Sequence, residues 1–148
     1  MIEEQNLTDR QRQLIRFFHQ NTFAEHMRAE PVLEDNGRFH LELTVEEHHT
    51  NLYNIVHGGV LMTLADTAMG AACLACNKKV VTVSLTTNFL HAVPLTTKVI
   101  TTAKVLHDGR HTMTCECELK SEEGKIFAKA QGTFYVLGKF VEEGGEEE

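Results

Sequence analysis

The longest feature of the hydrophobic pattern is a run of small and aliphatic residues from 58 to 76, interrupted by one charged side chain, Asp66. The run indicates a helix, and because apolar residues occupy nearly every side, we expect burial on nearly every side. A central Asp disfavours membrane insertion by about 2.5–3.5 kcal/mol. The run therefore predicts a buried core helix rather than a membrane span.

A shorter helix and a strand precede this run. Residues 7–21 contain Leu14, Ile15, Phe17 and Phe18 among polar residues, which predicts a short amphipathic helix. Thr8 is its predicted cap. Residues 37–45 alternate apolar and polar side chains, which predicts a half-buried strand. Residues 46–57, rich in His and Asn, are predicted to form a loop.

The rest of the chain predicts four more strands, separated by short turns. They are residues 80–91, 97–107, 111–121 and 125–138. Their spacing is that of a meander, because turns of this length join neighbouring antiparallel strands. A sheet with one apolar face needs a cover, and the 58–76 helix is the only element large enough.

These elements predict an α+β fold in which a curved antiparallel sheet wraps around one long central helix. One five-stranded sheet cannot enclose a helix that is apolar all round, so a second subunit is expected to cover the remainder. We divide the chain into an N-terminal helix and lead-in (1–36), one domain (37–140) and an acidic tail (141–148).

Composition narrows the class of protein. The 148 residues fit one domain with one core, and 42% apolar residues indicate a globular chain. The net charge is −7, but the tail holds five of the 21 acidic residues, which leaves 16 acids against 14 bases. We expect the tail to be disordered. Without a basic cluster, no nucleic-acid partner is expected.

Four cysteines bear on the cellular compartment. The N-terminus lacks the apolar segment of a secretory signal, which favours the cytoplasm and argues against a disulfide framework. Redox Cys-x-x-Cys pairs draw their low pKa from a helix N-terminus, whereas Cys73 and Cys76 fall near a predicted helix C-terminus. We expect all four thiols to be reduced and mostly packed.

Asp66 is the first candidate for chemistry. It could belong to an exposed stripe with Thr63 and Thr67, but no Lys, Arg or Glu shares any face of its helix, and solvated stripes usually carry several charges. A lone carboxylate in apolar surroundings suits a general base or a nucleophile.

Gly58 and Gly59 open the helix behind His57. The pair fits a turn or a close backbone contact. It also fits a helix N-terminus whose bare N–H groups, with the helix dipole, stabilise an oxyanion. His57 and Asn51 flank an apolar segment, and a lone His is more often structural than catalytic, so their spacing alone leaves both roles open.

The stretch HTNLYNIVHGGVLMTLADTAMGAACLA resembles the signature of the hotdog-fold acyl-CoA thioesterases, in their phenylacetic-acid-degradation branch. That branch has an Asn, a His-Gly-Gly six residues on, and an Asp nine residues after the His. It also has a small hydroxyl residue in the next strand, which corresponds to Ser84. The resemblance covers roughly residues 38–137.

The resemblance implies hydrolysis of an acyl- or aryl-CoA thioester to free acid and CoA. Asp66 would be general base or nucleophile, and the Gly58 N–H would polarise the thioester carbonyl. His57 and Asn51 would position the thioester and water, and Ser84 would hold the water or orient Asp66. Asp66 and Gly58 would face each other across the interface of a homodimer or homotetramer.

It also implies a surface that binds substrate. The expected binding residues are Gly59, Asn54, Met62, Asn88, Phe89, Arg110 and His111, with Leu61, Leu64 and Ala65 near the acyl group. Arg110 and His111 stand for the basic side chains that the polyanionic CoA requires. No cofactor is expected beyond the CoA that the substrate carries, and no metal.

Three alternatives stay open. A hotdog-fold hydratase would show an Asp before the His with an Asn-Pro step, or a Glu on the helix, and this chain has neither. A non-catalytic acyl-CoA-binding protein would share the motif with a degenerate site. A metal site could use His48, His49, His57 and the cysteines, although none matches an established zinc spacing.

Overall fold

The computed structural model of the chain describes residues 6–36 and 38–141, so the predicted disordered tail lies outside it except for Val141. Its α-helices are α1 (Asp9–Gln20), α2 (Thr22–His26) and α3 (Gly58–Ala75), with a 3-10 helix at Glu47–His49. Its strands are β1 (Glu30–Leu33), β2 (Phe39–Thr44), β3 (Lys78–Phe89), β4 (Lys98–Asp108), β5 (Thr112–Lys120) and β6 (Ile126–Lys139).

The strands of the described chain form one antiparallel sheet in the order β1-β2-β4-β5-β6-β3. The curved antiparallel sheet around one long helix is confirmed. The meander is confirmed only for β4, β5 and β6. The prediction that β3 pairs with β4 is wrong, because β3 pairs with β6 and the chain crosses to the far side of the sheet before β4 begins.

Two elements of the lead-in were not predicted. β1 is a four-residue edge strand with Pro31, and a Pro within a short run argues against a strand unless it lies at a sheet edge. α2 has five residues, too few for an apolar period to show. Asn21 both ends α1 and caps α2 by accepting a hydrogen bond from the Ala24 N–H at 3.1 Å.

α3 is the core helix, and it packs on β3, β4, β5 and β6. Its length and composition alone would suit a membrane span, but its buried face lies against the sheet. Asn77 ends the helix with φ 62°, a left-handed backbone that Asn tolerates. The Asn77 side chain then holds Val141 through two hydrogen bonds of 2.8 and 2.9 Å.

α1 covers one face of α3. Thr8 caps it as predicted, since its hydroxyl accepts from the Gln11 N–H at 3.2 Å and the Gln11 side chain accepts from the Thr8 N–H at 2.8 Å. Leu14 and Phe18 are buried, and α1 contacts α3. The amphipathic face predicted from the sequence is therefore the packing face.

Candidate active site

The N-terminus of α3 is built by His57 and the two glycines. His57 is the N-cap, and its Nδ1 accepts a hydrogen bond from the Gly59 N–H at 3.0 Å. Gly58 is the first residue of the helix, and its N–H has no partner within the described residues. The cap thus engages the Gly59 N–H, while the Gly58 N–H stays without a partner among the described residues.

Phe89 stands beside this amide. A Cβ built on Gly58 would lie 3.3 Å from Phe89 Cζ, and the ring is about half exposed. The structure therefore brings together His57, Gly58, Gly59 and Phe89, all predicted from the sequence. The aromatic ring forms an apolar wall next to the free N–H.

Asp66 is half-buried on α3, and its Oδ1 accepts a hydrogen bond from Thr82 Oγ1 at 2.6 Å. Thr63 and Thr67 donate their hydroxyls back to carbonyls of their own helix, at 2.8 and 2.7 Å. The polar stripe predicted as an alternative therefore exists. Within it, Asp66 is held by the neighbouring strand and not by the helix.

In the described residues Thr82, and not Ser84, makes the hydrogen bond that would orient Asp66, so the orienting role of Ser84 stays a prediction with no contact to support it. A β-bulge separates the two residues: Thr82 lies opposite Phe134, whereas Ser84 lies opposite Thr133. Phe134 and Thr133 are consecutive and point to opposite faces of β6. Ser84 thus lies on the outer face of the sheet, with Thr133. Its predicted role in holding water stays a prediction.

We expect Thr82→Val to lower kcat about tenfold, because it removes a hydrogen bond to a carboxylate, while KM changes little. Thr82→Ser keeps the hydroxyl and should retain most of the rate. Steady-state kinetics of both variants and of Ser84→Ala would check this. A loss in Ser84→Ala with normal rates in Thr82→Val would show that Ser84 is the orienting residue after all.

Gly58 and Asp66 cannot act on the same carbonyl within one chain. They are eight residues apart on one helix, which corresponds to a rise of about 12 Å. A catalytic base and an oxyanion donor must each come within about 3 Å of the reacting group. A site that uses both residues therefore requires a second copy of the helix.

Asn51 and Asn54 shape the loop before α3. Asn51 Oδ1 accepts from the Tyr53 N–H at 2.9 Å, which closes a tight turn, and Asn54 has φ 58°. The turn exposes Leu52 and Tyr53, which are 97% and 80% accessible. In one chain Asn51 thus has a structural contact, and its catalytic role stays a prediction.

The remaining predicted binding residues are dispersed. Met62 is exposed at the surface of α3, but Leu61, Leu64 and Ala65 are buried in the core. Asn88 is exposed opposite Lys129.

Arg110 and His111 lie at the other end of β3 from Phe89. They are in the β4–β5 turn, which Lys78 holds through Asp108 and through the Gly109 carbonyl at 2.8 Å. β3 runs from Lys78 to Phe89, roughly 36 Å for an extended strand. A single chain therefore does not bring these basic residues to Gly58.

His49 has a structural role. It is 1% exposed, its Nδ1 accepts from the Glu46 N–H at 3.0 Å, and its Nε2 donates to the Met27 carbonyl at 2.7 Å. Glu46, His48 and His49 could place ligand atoms within 4.8 Å of one another. Because both ring nitrogens of His49 are engaged, a metal there would have to break one of these bonds.

We expect His49 to make stability depend on pH. Burial lowers its pKa below the ordinary 6.5, although the Met27 bond opposes this. Below about pH 6.5, His49 binds a proton more readily in the unfolded chain than in the folded chain. The free energy of unfolding therefore falls as the pH falls. Between about pH 7.5 and about pH 5.5, the wild type should therefore lose more stability than His49→Gln. Urea unfolding at both values checks this, and equal losses would contradict it.

The cysteines are free thiols, as predicted. Cys73, Cys115 and Cys117 are buried, and Cys76 is exposed at the end of α3. Burial is the main cause that raises the pKa of Cys117 to about 12 and also raises the pKa of Cys76. None of these thiols is activated as a nucleophile by a helix N-terminus.

A sequence profile of the thioesterase superfamily matches residues 53–128, about half of the chain. The chain belongs to this superfamily and is a thioester hydrolase with the hotdog fold. It is 31% identical over 103 residues to human acyl-coenzyme A thioesterase 13, a match that covers 68% of this chain and 74% of that protein.

Two solved structures extend the comparison. The Escherichia coli PaaI protein of the phenylacetic acid degradation operon is 26% identical, with a TM-score of 0.80 over 90% of this chain and 98% of that one. A hypothetical thioesterase of Streptococcus pneumoniae, solved with coenzyme A, is 27% identical, with a TM-score of 0.70 over 76% and 91%. Two more structures of that protein carry alanine at an aspartate and at a threonine sixteen residues further on.

Proposed function

We propose that the chain hydrolyses acyl- or aryl-CoA thioesters to the free acid and CoA. The observation that carries this is that a thioesterase fold places on one helix both a single carboxylate, which Thr82 holds, and a Gly58 N–H that has no partner among the described residues. The Streptococcus pneumoniae relative was solved with coenzyme A, which supports a CoA ester as substrate. Four free thiols suit the cytoplasm.

In the proposed reaction, Asp66 takes a proton from water, and the hydroxide attacks the thioester carbon. The negative charge that develops on the carbonyl oxygen is stabilised by the Gly58 N–H and the dipole of α3. The C–S bond then breaks, and CoA leaves as a thiol after it takes up the proton that Asp66 removed from water. Direct attack by Asp66 to form an anhydride, which water then hydrolyses, uses the same two groups.

A thioester needs only this much machinery. Its carbonyl is already electrophilic and its thiolate leaves readily, so one base and one oxyanion donor suffice without a Ser-His-Asp triad. Thr82 would fix the carboxylate. The aspartate and threonine replaced in the Streptococcus pneumoniae relative have the same sixteen-residue separation as Asp66 and Thr82, which supports this pairing.

We propose that two copies of the chain complete each site. The 12 Å between Gly58 and Asp66 along one helix requires a second copy, and an antiparallel second α3 would set one residue opposite the other. Two features support an interface here. β3 is an edge strand with an open hydrogen-bonding side, and Val83, Leu52 and Tyr53 are exposed apolar side chains.

The direct test is hydrolysis of a panel of CoA thioesters, with the released thiol detected by a thiol reagent. Phenylacetyl-, hydroxybenzoyl- and medium-chain fatty-acyl-CoA should be compared, because the exposed wall of Phe89 and Met62 does not choose between aryl and alkyl groups. Turnover of at least one ester is expected. Saturable binding of these esters without turnover would instead favour the non-catalytic binding protein.

The shared site has its own test. Asp66→Asn and Gly58→Pro chains should each be inactive alone, but chains co-expressed with two different tags should form mixed dimers with one intact site. Random pairing then restores about a quarter of wild-type activity. If purified mixed dimers stay inactive, Asp66 and Gly58 do not serve one site from two chains.

A further inference from the structure

A cavity of about 840 Å³ lies on the side of α3 away from Asp66. Its floor is a stripe of small residues, and α1 covers it with Leu14 and Phe18. The floor is formed by Ala68, Ala71, Ala72 and Ala75. Ala68 follows Asp66 by two residues, which is about 200° around the helix. The cavity and the candidate catalytic carboxylate therefore occupy opposite faces of α3.

The cavity arises because the sheet opens beneath α1. β2 pairs with β4 only over Leu41–Thr44, while its first two residues, Phe39 and His40, pair with β1 alone. The alanines leave space that larger side chains would fill. Protein interiors contain few voids larger than a water molecule, and ligand pockets commonly measure about 300–1,000 Å³. The volume therefore falls within the range of ligand pockets.

The charged side chains that line the cavity include more bases than acids. The acids are Glu116 and Glu118, and the bases are Arg10, Arg38 and Lys104. Glu118 also forms an ion pair with Lys129 at 3.3 Å. The lining is therefore not net negative.

Two of these bases are arginines. The Arg10 guanidinium donates one hydrogen bond, to the Ala75 carbonyl at 3.3 Å, which leaves most of its donors unused. Arg38 is exposed, and its side chain has no ion pair within the described residues. A cavity with an alanine floor and an excess of basic side chains in its lining is complementary to an amphiphile with an anionic head.

We propose that this cavity binds an apolar monocarboxylic acid. Its hydrocarbon body lies on the alanine floor beneath Leu14 and Phe18, and its carboxylate pairs with Arg10 and Arg38. The proposal goes beyond the thioesterase function, because it assigns a second binding site on the face of α3 opposite Asp66. It does not depend on whether the chain uses Asp66 to hydrolyse a thioester.

The test is calorimetric titration of the full chain with decanoate, below its micelle concentration, and with decylammonium as the matched cation. Saturable binding of decanoate and at least tenfold weaker binding of decylammonium are expected. Decanoate should also slow alkylation of Cys76, which lines the cavity and is the exposed cysteine. No saturable binding, or equal affinity for both heads, overturns the proposal.

Variants locate the site. Asp66→Asn should bind decanoate as the wild type does, whereas Ala72→Phe fills the cavity and should abolish binding. Arg38→Gln should weaken binding about tenfold, and Arg38→Lys should restore most of it. Because Arg38 is exposed, its variants should fold even if Ala72→Phe does not. Affinity lost in Asp66→Asn but unchanged in Arg38→Gln would place decanoate at the catalytic face and refute the second site.

Discussion

Asp66→Asn is expected to lower kcat by about 10²- to 10⁴-fold, the range that general base catalysis supplies. The amide is nearly isosteric, and its oxygen can still accept the hydrogen bond that Thr82 donates at 2.6 Å. It can neither take a proton from water nor attack the thioester carbon. The loss therefore reports chemistry rather than a change in shape, and KM should change little.

Steady-state rates with a thiol reagent measure this effect, and thermal unfolding confirms that the variants fold. Asp66→Ala should lose a similar factor, and it also excludes slow conversion of Asn back to Asp as a source of residual activity. Glu123→Gln, in an exposed turn, removes one carboxylate elsewhere and should keep the wild-type rate. Rates within about threefold of wild type for both Asp66 variants would refute the assignment of Asp66.

The sequence predicted the elements that depend on local pattern. Thr8 and Gln11 form a capping box, and the apolar run became α3 with His57 as its cap, because side-chain period and capping act over a few residues. The sequence also predicted Gly58, His57 and Phe89 as site residues. The motif places His57 and Gly58 at the same end of the helix.

Non-local features escaped prediction. Pairing of β3 with β6 rather than β4 depends on how the sheet curls around α3, which no turn signal encodes. The bulge at Val83 changes which face of β3 carries Ser84, and a β-branched run of residues reads the same with or without it. The sequence analysis therefore did not identify Thr82, although its hydroxyl lies in the predicted strand, sixteen residues after Asp66.

The helix itself limits what one chain can do. Its two candidate catalytic groups lie on one helix, eight residues apart, so the proposed chemistry on a single carbonyl would require two chains. The sequence predicted a second subunit for a related reason: the helix is apolar on nearly every side, and one sheet cannot cover all of these sides. The structure adds that Leu61, Leu64 and Ala65 are buried in the core, whereas Met62 and Phe89 are exposed.

Gly58→Pro is expected to lower kcat by about 10²- to 10³-fold, because it removes one backbone donor to the developing oxyanion. The site can accept Pro. Gly58 is the first residue of α3, where Pro is favoured and the N–H has no helical partner. His57 before it has φ −65° and ψ 133°, the extended backbone that a residue preceding Pro prefers. The helix should form unchanged, as circular dichroism and thermal unfolding would verify.

Gly58→Ala is the matched control, because it separates the donor from the volume. Its Cβ would meet Phe89 Cζ at 3.3 Å, the same contact that Pro would make, but its N–H remains. The rate of Gly58→Ala should therefore fall by less than about tenfold while Gly58→Pro loses far more. Equal losses in both variants would show that crowding against Phe89, not the missing N–H, slows the enzyme, and the oxyanion role of Gly58 would have to be abandoned.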